Sequence, residues 1–471
     1  LMIKNIRGDT MQKSISISIL DAKNIPDFLE ELKTYKKNED CFENWIHFDV
    51  MDGKFVNNTG IDLKYIKTAK NMGFYTDTHL MVEKPLGDKY IDKAIEYGTD
   101  IITIHYEISN FNAVLNRLVS IKKELYKTCN RELKIGVSIK PNTDVKELKK
   151  YSDMFDLLLI MSVEPGYGGQ SYIYNTNEKI SIARRLFKDK IIQVDGGVNL
   201  ETIETPLSLG VDSFVVGSYL TKNDAKDNLL KLNILKYLTD LPKDGNLEFD
   251  KKLLMIVPGG YGENDTLLGI SVPTMRKAAR VWYKDINLTT LTPYISSKYH
   301  DYRRFAIFCM SNIVKKYYSK NEDKKIKDVV DFMCSNVSYI NNWDLTDEAG
   351  PNILGFYLMS INISKAKEEV LKFVENDNIW IKRIGIVSLL TMARNNKLNF
   401  CIDICKNHMY NENHLIQKAI GWVLREVYKK DSKKIVDLLK DKNSKKKLPT
   451  ILLSYACERM SSIEKNSIKN N

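Results

Sequence analysis

The chain has 471 residues, 43% of them hydrophobic and 28% charged, enough for two or three ordinary globular domains. No apolar run approaches the roughly 18 residues that a membrane-spanning helix needs, and the first residues carry no charged-then-apolar secretion pattern, which sets membrane and secreted classes aside. The net charge of +11 is uneven: residues 1–235 hold 32 basic and 33 acidic side chains, so the remainder carries an excess of about +12. Lysine-rich surfaces attract nucleic acid, but Lys, Asn and Ile are abundant throughout, and charge alone leaves nucleic-acid binding undecided. Seven cysteines, an odd number in no framework, point to a reducing cytoplasm. Cys401 and Cys405, four apart on an expected helix, read as a buried face rather than as metal ligands.

Residues 1–13 read as an extension in which Met11, rather than Met2, is the better candidate start. Residues 14–238 alternate short apolar runs with amphipathic stretches. Strands are predicted at 14–20, 45–50, 75–80, 101–105, 134–139, 157–162, 191–194 and 213–216, with helical periodicity between them, for example over 27–36 and 145–151. Eight strand–helix units in this length match a (β/α)8 barrel. An open doubly wound sheet would want a Gly-x-Gly-x-x-Gly turn after the first strand, where Asp21-Ala22-Lys23 stands instead.

Residues 239–246, with Pro242 and Gly245, read as a linker. Beyond them strand patterns vanish. Segments 303–317, 325–333, 379–392 and 415–428 are amphipathic at helical spacing and separated by short polar turns. They predict stacked helix pairs, an all-α solenoid of degenerate HEAT-like units over 247–460. Residues 461–471 form a polar tail that is expected to fray.

Barrel chemistry gathers at the carboxyl ends of the strands. Ser18, His47, Asp49, His79 and Asp195 fall at or near such ends. Two imidazoles and two carboxylates converging there suit one divalent ion, Zn²⁺, Mn²⁺ or Fe²⁺. A metal beside an α-hydroxyketone acidifies the neighbouring C–H, and two bases on opposite faces then allow a carbon to be inverted. Gly166–Gly169, Gly196-Gly197 and Gly217-Ser218 follow strands six, seven and eight, and their backbone N–H groups suit a phosphate. Met51, Met81 and Met161 also fall at strand ends, where they are either an apolar shield or ordinary core filling.

Ser18-Ile19-Leu20, the run His47-Phe48-Asp49-Val50-Met51-Asp52-Gly53, His79-Leu80-Met81-Val82, the run Met161-Ser162-Val163-Glu164-Pro165-Gly166-Tyr167-Gly168-Gly169-Gln170, Asp195-Gly196-Gly197-Val198 and Gly217-Ser218 resemble the motifs of ribulose-phosphate 3-epimerases. The resemblance spans residues 14–235. It implies a metal held by His47, Asp49, His79 and Asp195, with Asp49 and Asp195 doubling as the acid/base pair. It also implies substrate contacts from Ser18, His79, Asp195, Gly166, Tyr167, Gly168, Gly169, Gly196, Gly197, Gly217 and Ser218. The implied reaction interconverts ribulose 5-phosphate and xylulose 5-phosphate, with allulose 6-phosphate as the alternative substrate. Asp21, where the family has a small or amide residue, and Asn57, in place of a proline, depart from the pattern.

In the second half, Trp343 and Asp347 share a helix face at a spacing of four, and Trp422 and Arg425 at a spacing of three. Taken singly, such residues are usually core tryptophans and inter-helix ion pairs. Together, Asn341-Asn342-Trp343-Asp344-Leu345-Thr346-Asp347, Asp377-Asn378-Ile379-Trp380-Ile381-Lys382-Arg383 and Gly421-Trp422-Val423-Leu424-Arg425-Glu426 resemble the HEAT-repeat alkylpurine DNA glycosylases of the AlkD type. That resemblance implies metal-free excision of N3- or N7-alkylated purines from duplex DNA. Asp347 would stabilise the cationic sugar, Trp343 and Trp422 would contact the lesion, and Arg383 and Arg425 would hold phosphate. The alternative is a helical module that binds DNA or protein without chemistry. The expected partners are a pentose phosphate and alkylated duplex DNA, with no membrane and with association of copies through the barrel left open.

Overall fold

Eight apolar runs of the first half become parallel strands: β1 (Ser14–Ser18), β2 (Glu43–Met51), β3 (Tyr75–Met81), β4 (Ile101–His105), β5 (Lys134–Ile139), β6 (Leu157–Met161), β7 (Ile191–Asp195) and β8 (Ser213–Val216). The computed structural model describes residues 13–35, 41–440 and 447–469, and the chain divides into two units, Leu1–Thr239 and Asp240–Asn471. The strands pair in chain order, and β8 closes onto β1, so the predicted barrel is present. Strands β4, β5 and β8 keep their predicted bounds, and the others shift by one or two residues at their ends. The segment predicted as helical from 145 winds as a 3-10 helix, Val145–Met154, started by the Asp144 side chain on the Lys146 N–H.

Alternation along each strand sorts the barrel. Ile15, Ile17, Ile46 and Phe48 are fully buried towards the surrounding helices. Ser16, Ser18, His47, Asp49, Asp77 and His79 point inward, where Ser16 on β1 reaches Asp77 on β3. The register sets Ser18 beside His47, Asp49 beside His79, Met51 beside Met81 and Met161 beside Asp195. The interior is thus polar on the β1–β4 side and around β7. It is apolar towards β6 and β8, where Leu157, Leu159, Met161 and Val215 pack together.

In the second unit a row of helices forms one layer: Val272–Trp282, His300–Tyr318, Trp343–Ala349, Ile379–Arg394, His414–Tyr428 and Thr450–Ala456, each packed on the next. Helices such as Leu288–Ile295, Asp323–Ser335 and Ile363–Val374 cover the other side, giving the predicted solenoid of stacked helix pairs. The four segments of this half read as amphipathic, 303–317, 325–333, 379–392 and 415–428, each lie within a helix. Of 27–36 in the first half, the helix covers only the part up to Lys33, and residue 36 lies outside the described residues. The helix Ala225–Asp240 runs into the stretch read as a linker, and Leu247–Leu253 starts directly after it. Within the tail expected to fray, Ser462–Lys469 is a helix, with Glu464 accepting from Ser461 and from the Tyr428 hydroxyl at 3.0 Å, and residues 470–471 lie outside the described residues. Among the described residues no helix is long and apolar enough to cross a membrane.

Gly136 on β5 is a point of close approach in the barrel wall. A Cβ there would lie 2.2 Å from Thr103 Oγ1 and 2.9 Å from Thr103 Cβ on β4. Gly136→Ala should therefore destabilise the barrel by about 1–3 kcal/mol, read from the midpoint of its urea transition, and Thr103→Ala should recover most of the loss. An unshifted midpoint would mean that β5 yields freely.

Candidate active sites

The mouth of the barrel brings four of the predicted residues to one point. His47 Nε2 lies 3.4 Å from Asp49 Oδ1 and 3.9 Å from Asp195 Oδ2, and His79 Nδ1 lies 3.5 and 3.6 Å from the same two oxygens. The four donor atoms fall within 4.8 Å of one another. These spacings are too long for hydrogen bonds, and His47 Nε2 and His79 Nδ1 are fully buried without a hydrogen-bond partner. Atoms each about 2.1 Å from a shared tetrahedral centre lie about 3.4 Å apart. The residues therefore fit a divalent cation, and the two orphaned nitrogens are what a cation would satisfy.

Electrostatics agree. Burial alone would lower the His47 pKa, but the Asp77 and Asp49 carboxylates outweigh it and hold that pKa well above the usual value. His79 is raised too, burial being overcome by Asp195 and Asp49. Asp49 is driven far below the carboxylate range, burial being outweighed by His47 and His79. Asp195 goes the other way, raised by burial and by the charge of Asp49 against the pull of the histidines. The cluster asks for positive charge, and its two carboxylates are inequivalent.

Above this floor, Ser18 donates to Asp49 Oδ2 at 2.7 Å. Met51, Met81 and Met161, all buried, line the same cavity with Gly166, Tyr167, Gly168, Gly169, Gly196, Gly197, Gly217 and Ser218. Gly196 and Gly197 have φ of +117° and +64°, which bulkier residues rarely adopt. The two departures sit on this rim. The Asn57 carbonyl accepts from the Tyr167 hydroxyl at 2.7 Å. Asp21 packs on Gly168, where a Cβ would come within 2.7 Å of Asp21 Oδ2, and lies 3.7 Å from Lys222 Nζ.

In the helical unit, Trp343, Asp347, Arg383, Trp422 and Arg425 line one cavity, joined by Tyr261, His414, Lys418 and Tyr455. Arg383 grips Asp347 with both arms, Nε to Oδ1 and Nη2 to Oδ2 at 2.8 Å each, and donates from Nη1 to the Leu415 carbonyl at 2.5 Å. Burial pushes the Asp347 pKa up, with Asp344 adding to the rise and Arg383 opposing it. Arg425 is tied to Glu458, and its Nε is buried without a hydrogen-bond partner. Trp343 Nε1 donates to the Leu253 carbonyl at 3.3 Å.

The matches follow the same division. Residues 14–221 match the model of the ribulose-phosphate 3 epimerase family, and residues 248–460 match that of the DNA alkylation repair enzymes. The ribulose-phosphate 3-epimerase of Bacillus subtilis (strain 168) is 36% identical over 195 residues, which cover 40% of this chain and 83% of the relative. That of Eremothecium gossypii is 32% identical over 214 residues, covering 42% and 82%. Through its first unit the chain belongs to the ribulose-phosphate 3-epimerase family. Among solved structures, a predicted DNA alkylation repair enzyme from Enterococcus faecalis aligns with 16% identity and a TM-score of 0.36, over 46% of this chain and 98% of that one. AlkD2 from Streptococcus mutans aligns with 16% identity and a TM-score of 0.33 over the same shares.

The epimerase unit also uses residues that the motifs did not single out. Asp77 accepts from His47 Nδ1 at 2.9 Å, Ser16 at 2.9 Å and Gln193 at 2.7 Å, all on one oxygen. His105 meets His79, Nε2 to Nε2, at 2.9 Å, and Glu107 meets His105 Nδ1 at 3.0 Å. Burial pushes the His105 pKa down to about 4, against Glu107. Strand alternation was the available signal, since Ser16, Asp77, His105 and Gln193 all occupy inward positions.

In the helical unit the missed residue is His300. Its Nδ1 faces Asp265 and its Nε2 faces Asp344, both at 2.9 Å. Carboxylates only accept, so the ring carries both hydrogens. Arg303 joins Asp265 at 2.6 Å, and Arg304 joins Asp344 at 2.7 Å. Arg303 Nη2 also lies 3.2 Å from His300 Nδ1, as a neighbour aimed at the same carboxylate. Burial lowers the His300 pKa, but Asp344 and Asp265 raise it above the usual value on balance, against Arg304. A raised folded-state pKa gives a contribution that is complete below about pH 6.5 and is lost as pH rises through the raised value. The thermal midpoint of the helical unit should accordingly fall from neutral to alkaline pH by a step that is missing in His300→Gln. Parallel profiles in the two proteins would remove His300 from the account.

Proposed function

We propose that the chain carries two activities: epimerisation at C3 of D-ribulose 5-phosphate and D-xylulose 5-phosphate in the barrel, and excision of N3- or N7-alkylated purines from duplex DNA in the helical unit. For the barrel, the supporting observation is the convergence of Asp49 from β2 and Asp195 from β7 on one cavity with two orphaned imidazole nitrogens. A divalent ion held by His47, Asp49, His79 and Asp195 would supply the positive charge that makes the C–H beside the ketone acidic.

The chain's own groups do the rest. One carboxylate removes the C3 proton from one face, and the other returns a proton to the opposite face. Ser18 steadies Asp49 Oδ2 through its hydroxyl. The methionine lining keeps water from the enediolate, and the glycine turns after β6, β7 and β8 offer N–H groups to the phosphate. Asp49→Asn and Asp195→Asn should each lower kcat by at least about 10²-fold, measured as xylulose 5-phosphate formation. Dialysis against a chelator should abolish turnover, and Zn²⁺, Mn²⁺ or Fe²⁺ should restore it. Retained turnover in both variants would end the two-base reading.

For the helical unit, the supporting observation is Asp347 held in the cavity between Trp343 and Trp422 by the Arg383 fork. An N-alkylated purine is already a cation, so its glycosidic bond is weakened before binding. A fixed carboxylate then stabilises the charge that develops on the sugar. Trp343 and Trp422 contact the lesion nucleotide, and Arg383 and Arg425 approach its phosphates. Wild type should release 7-methylguanine from methylated duplex DNA, Asp347→Asn should lose that release, and chelator should leave it unchanged. Salt-sensitive DNA binding without base release would make the unit a binding scaffold instead.

A further inference from the structure

We infer that Glu107 and His105 are positioning residues that dictate which nitrogen of His79 is free to bind a metal. This rests on the cation site proposed for the barrel. The chain of contacts starts at the loop after β5. Glu107 Oε1 accepts the Lys140 backbone N–H at 2.8 Å and the Thr143 hydroxyl at 2.5 Å. Its other oxygen meets His105 Nδ1 at 3.0 Å. A carboxylate has no hydrogen to give, so His105 donates from Nδ1.

Between His105 Nε2 and His79 Nε2, 2.9 Å apart, there is room for one hydrogen. Were it on His105, the hydrogen of a neutral His79 would sit on Nδ1. There its nearest acceptors, Asp49 Oδ1 and Asp195 Oδ2, are 3.5 and 3.6 Å away, beyond hydrogen-bond reach. Placed on His79 Nε2, it satisfies His105 and leaves His79 Nδ1 as a bare lone pair aimed at the two carboxylates. Each link fixes the next, from a backbone amide at residue 140 to the ligand atom of residue 79.

Glu107→Gln reverses the chain without changing its shape. The Lys140 N–H can only donate, so the amide oxygen must stay with it, and the amide NH₂ turns to His105. His105 then accepts at Nδ1 and donates from Nε2, which places the hydrogen of His79 on Nδ1, where the metal belongs. His105→Phe removes the imidazole's polar contacts altogether and forces a larger ring into the site, but leaves His79 free to choose either form. A purely structural role predicts that His105→Phe is the worse variant. Tautomer control predicts the opposite.

The test is Co²⁺ affinity of the metal-stripped full-length protein, followed by visible absorption. Relative to wild type, Glu107→Gln should bind about 10–100-fold more weakly, and His105→Phe should lose less. Glu107→Gln binding within about twofold of wild type, or His105→Phe falling below it, would overturn the inference. Histidine-ring ¹⁵N shifts of Zn²⁺-loaded wild type test it without any variant: His105 should carry its hydrogen on Nδ1 and accept at Nε2, and a hydrogen on Nε2 would overturn it. Failure of wild type to bind Co²⁺ would instead overturn the metal site itself.

Discussion

Taking an ionised side chain out of water carries a penalty of several kcal/mol unless neighbours compensate for it, and this constraint shapes both units. The barrel buries His47, Asp49, Asp77, His79 and His105 inside a ring of strands, a space that aliphatic side chains fill in most barrels of this kind. It tolerates them because the charged groups meet partners across the barrel interior and in its loops, although Asp77 Oδ1, Gln193 Oε1, Thr103 Oγ1 and Ser138 Oγ stay buried without one. Asp77 is met by His47, Ser16 and Gln193, and His105 by Glu107. His47 Nε2 and His79 Nδ1, also without a partner, are the ones that face the Asp49 and Asp195 carboxylates. Chemistry at the mouth and satisfaction of the interior are therefore one arrangement seen from two sides, with the apolar wall of β6 and β8 opposite.

The helical unit meets the same constraint with a different set. The helix that begins at Trp343 runs through the π-helical turn at 350–354 to Ser360, and the N–H groups of its first turn need partners from outside the helix. Asn342 caps it and also donates to the Leu254 carbonyl, while Asp344 is held by His300 and Arg304. Asp347, three residues on, faces the cavity. The buried cation at His300 thus fixes the helix on which Trp343 and Asp347 are carried. The π-helical turn Gly350–Leu354 that follows lies close against Ile379–Arg394, where a Cβ on Gly350 would meet Val387 Cγ2 at 2.3 Å.

Much of this was legible in the sequence, for reasons that also mark where legibility stopped. Apolar runs separated by turns located all eight strands, because burial on both faces demands them. The candidate ligand residues stood out because imidazoles and carboxylates gathered at strand ends have few other uses. The partners behind them were harder to read. Alternation says that His105 points inward, but whether it meets His79 depends on register and rotamer. The Arg425–Glu458 pair spans 33 residues and depends on how one helix is phased against another. Short local motifs carry no such phase, so an arginine expected to reach phosphate is found already holding a carboxylate.

The two units also treat their reactive carboxylates in opposite ways, and the difference follows from what each is proposed to do. A group that takes and returns a proton needs an oxygen left open to it, and an arginine fork would occupy both. Neither Asp49 nor Asp195 has such a fork: a serine hydroxyl and two imidazoles surround them, at hydrogen-bond distance only for Ser18. A group that stabilises a developing cation must instead stay ionised while buried. Asp347 has the fork of Arg383 on both oxygens, and that fork is what opposes the upward push of burial. Arg383 has five N–H donors and spends three of them on Asp347 and the Leu415 carbonyl. The remaining two, one on each terminal nitrogen, are what it can offer to a phosphate without releasing the carboxylate.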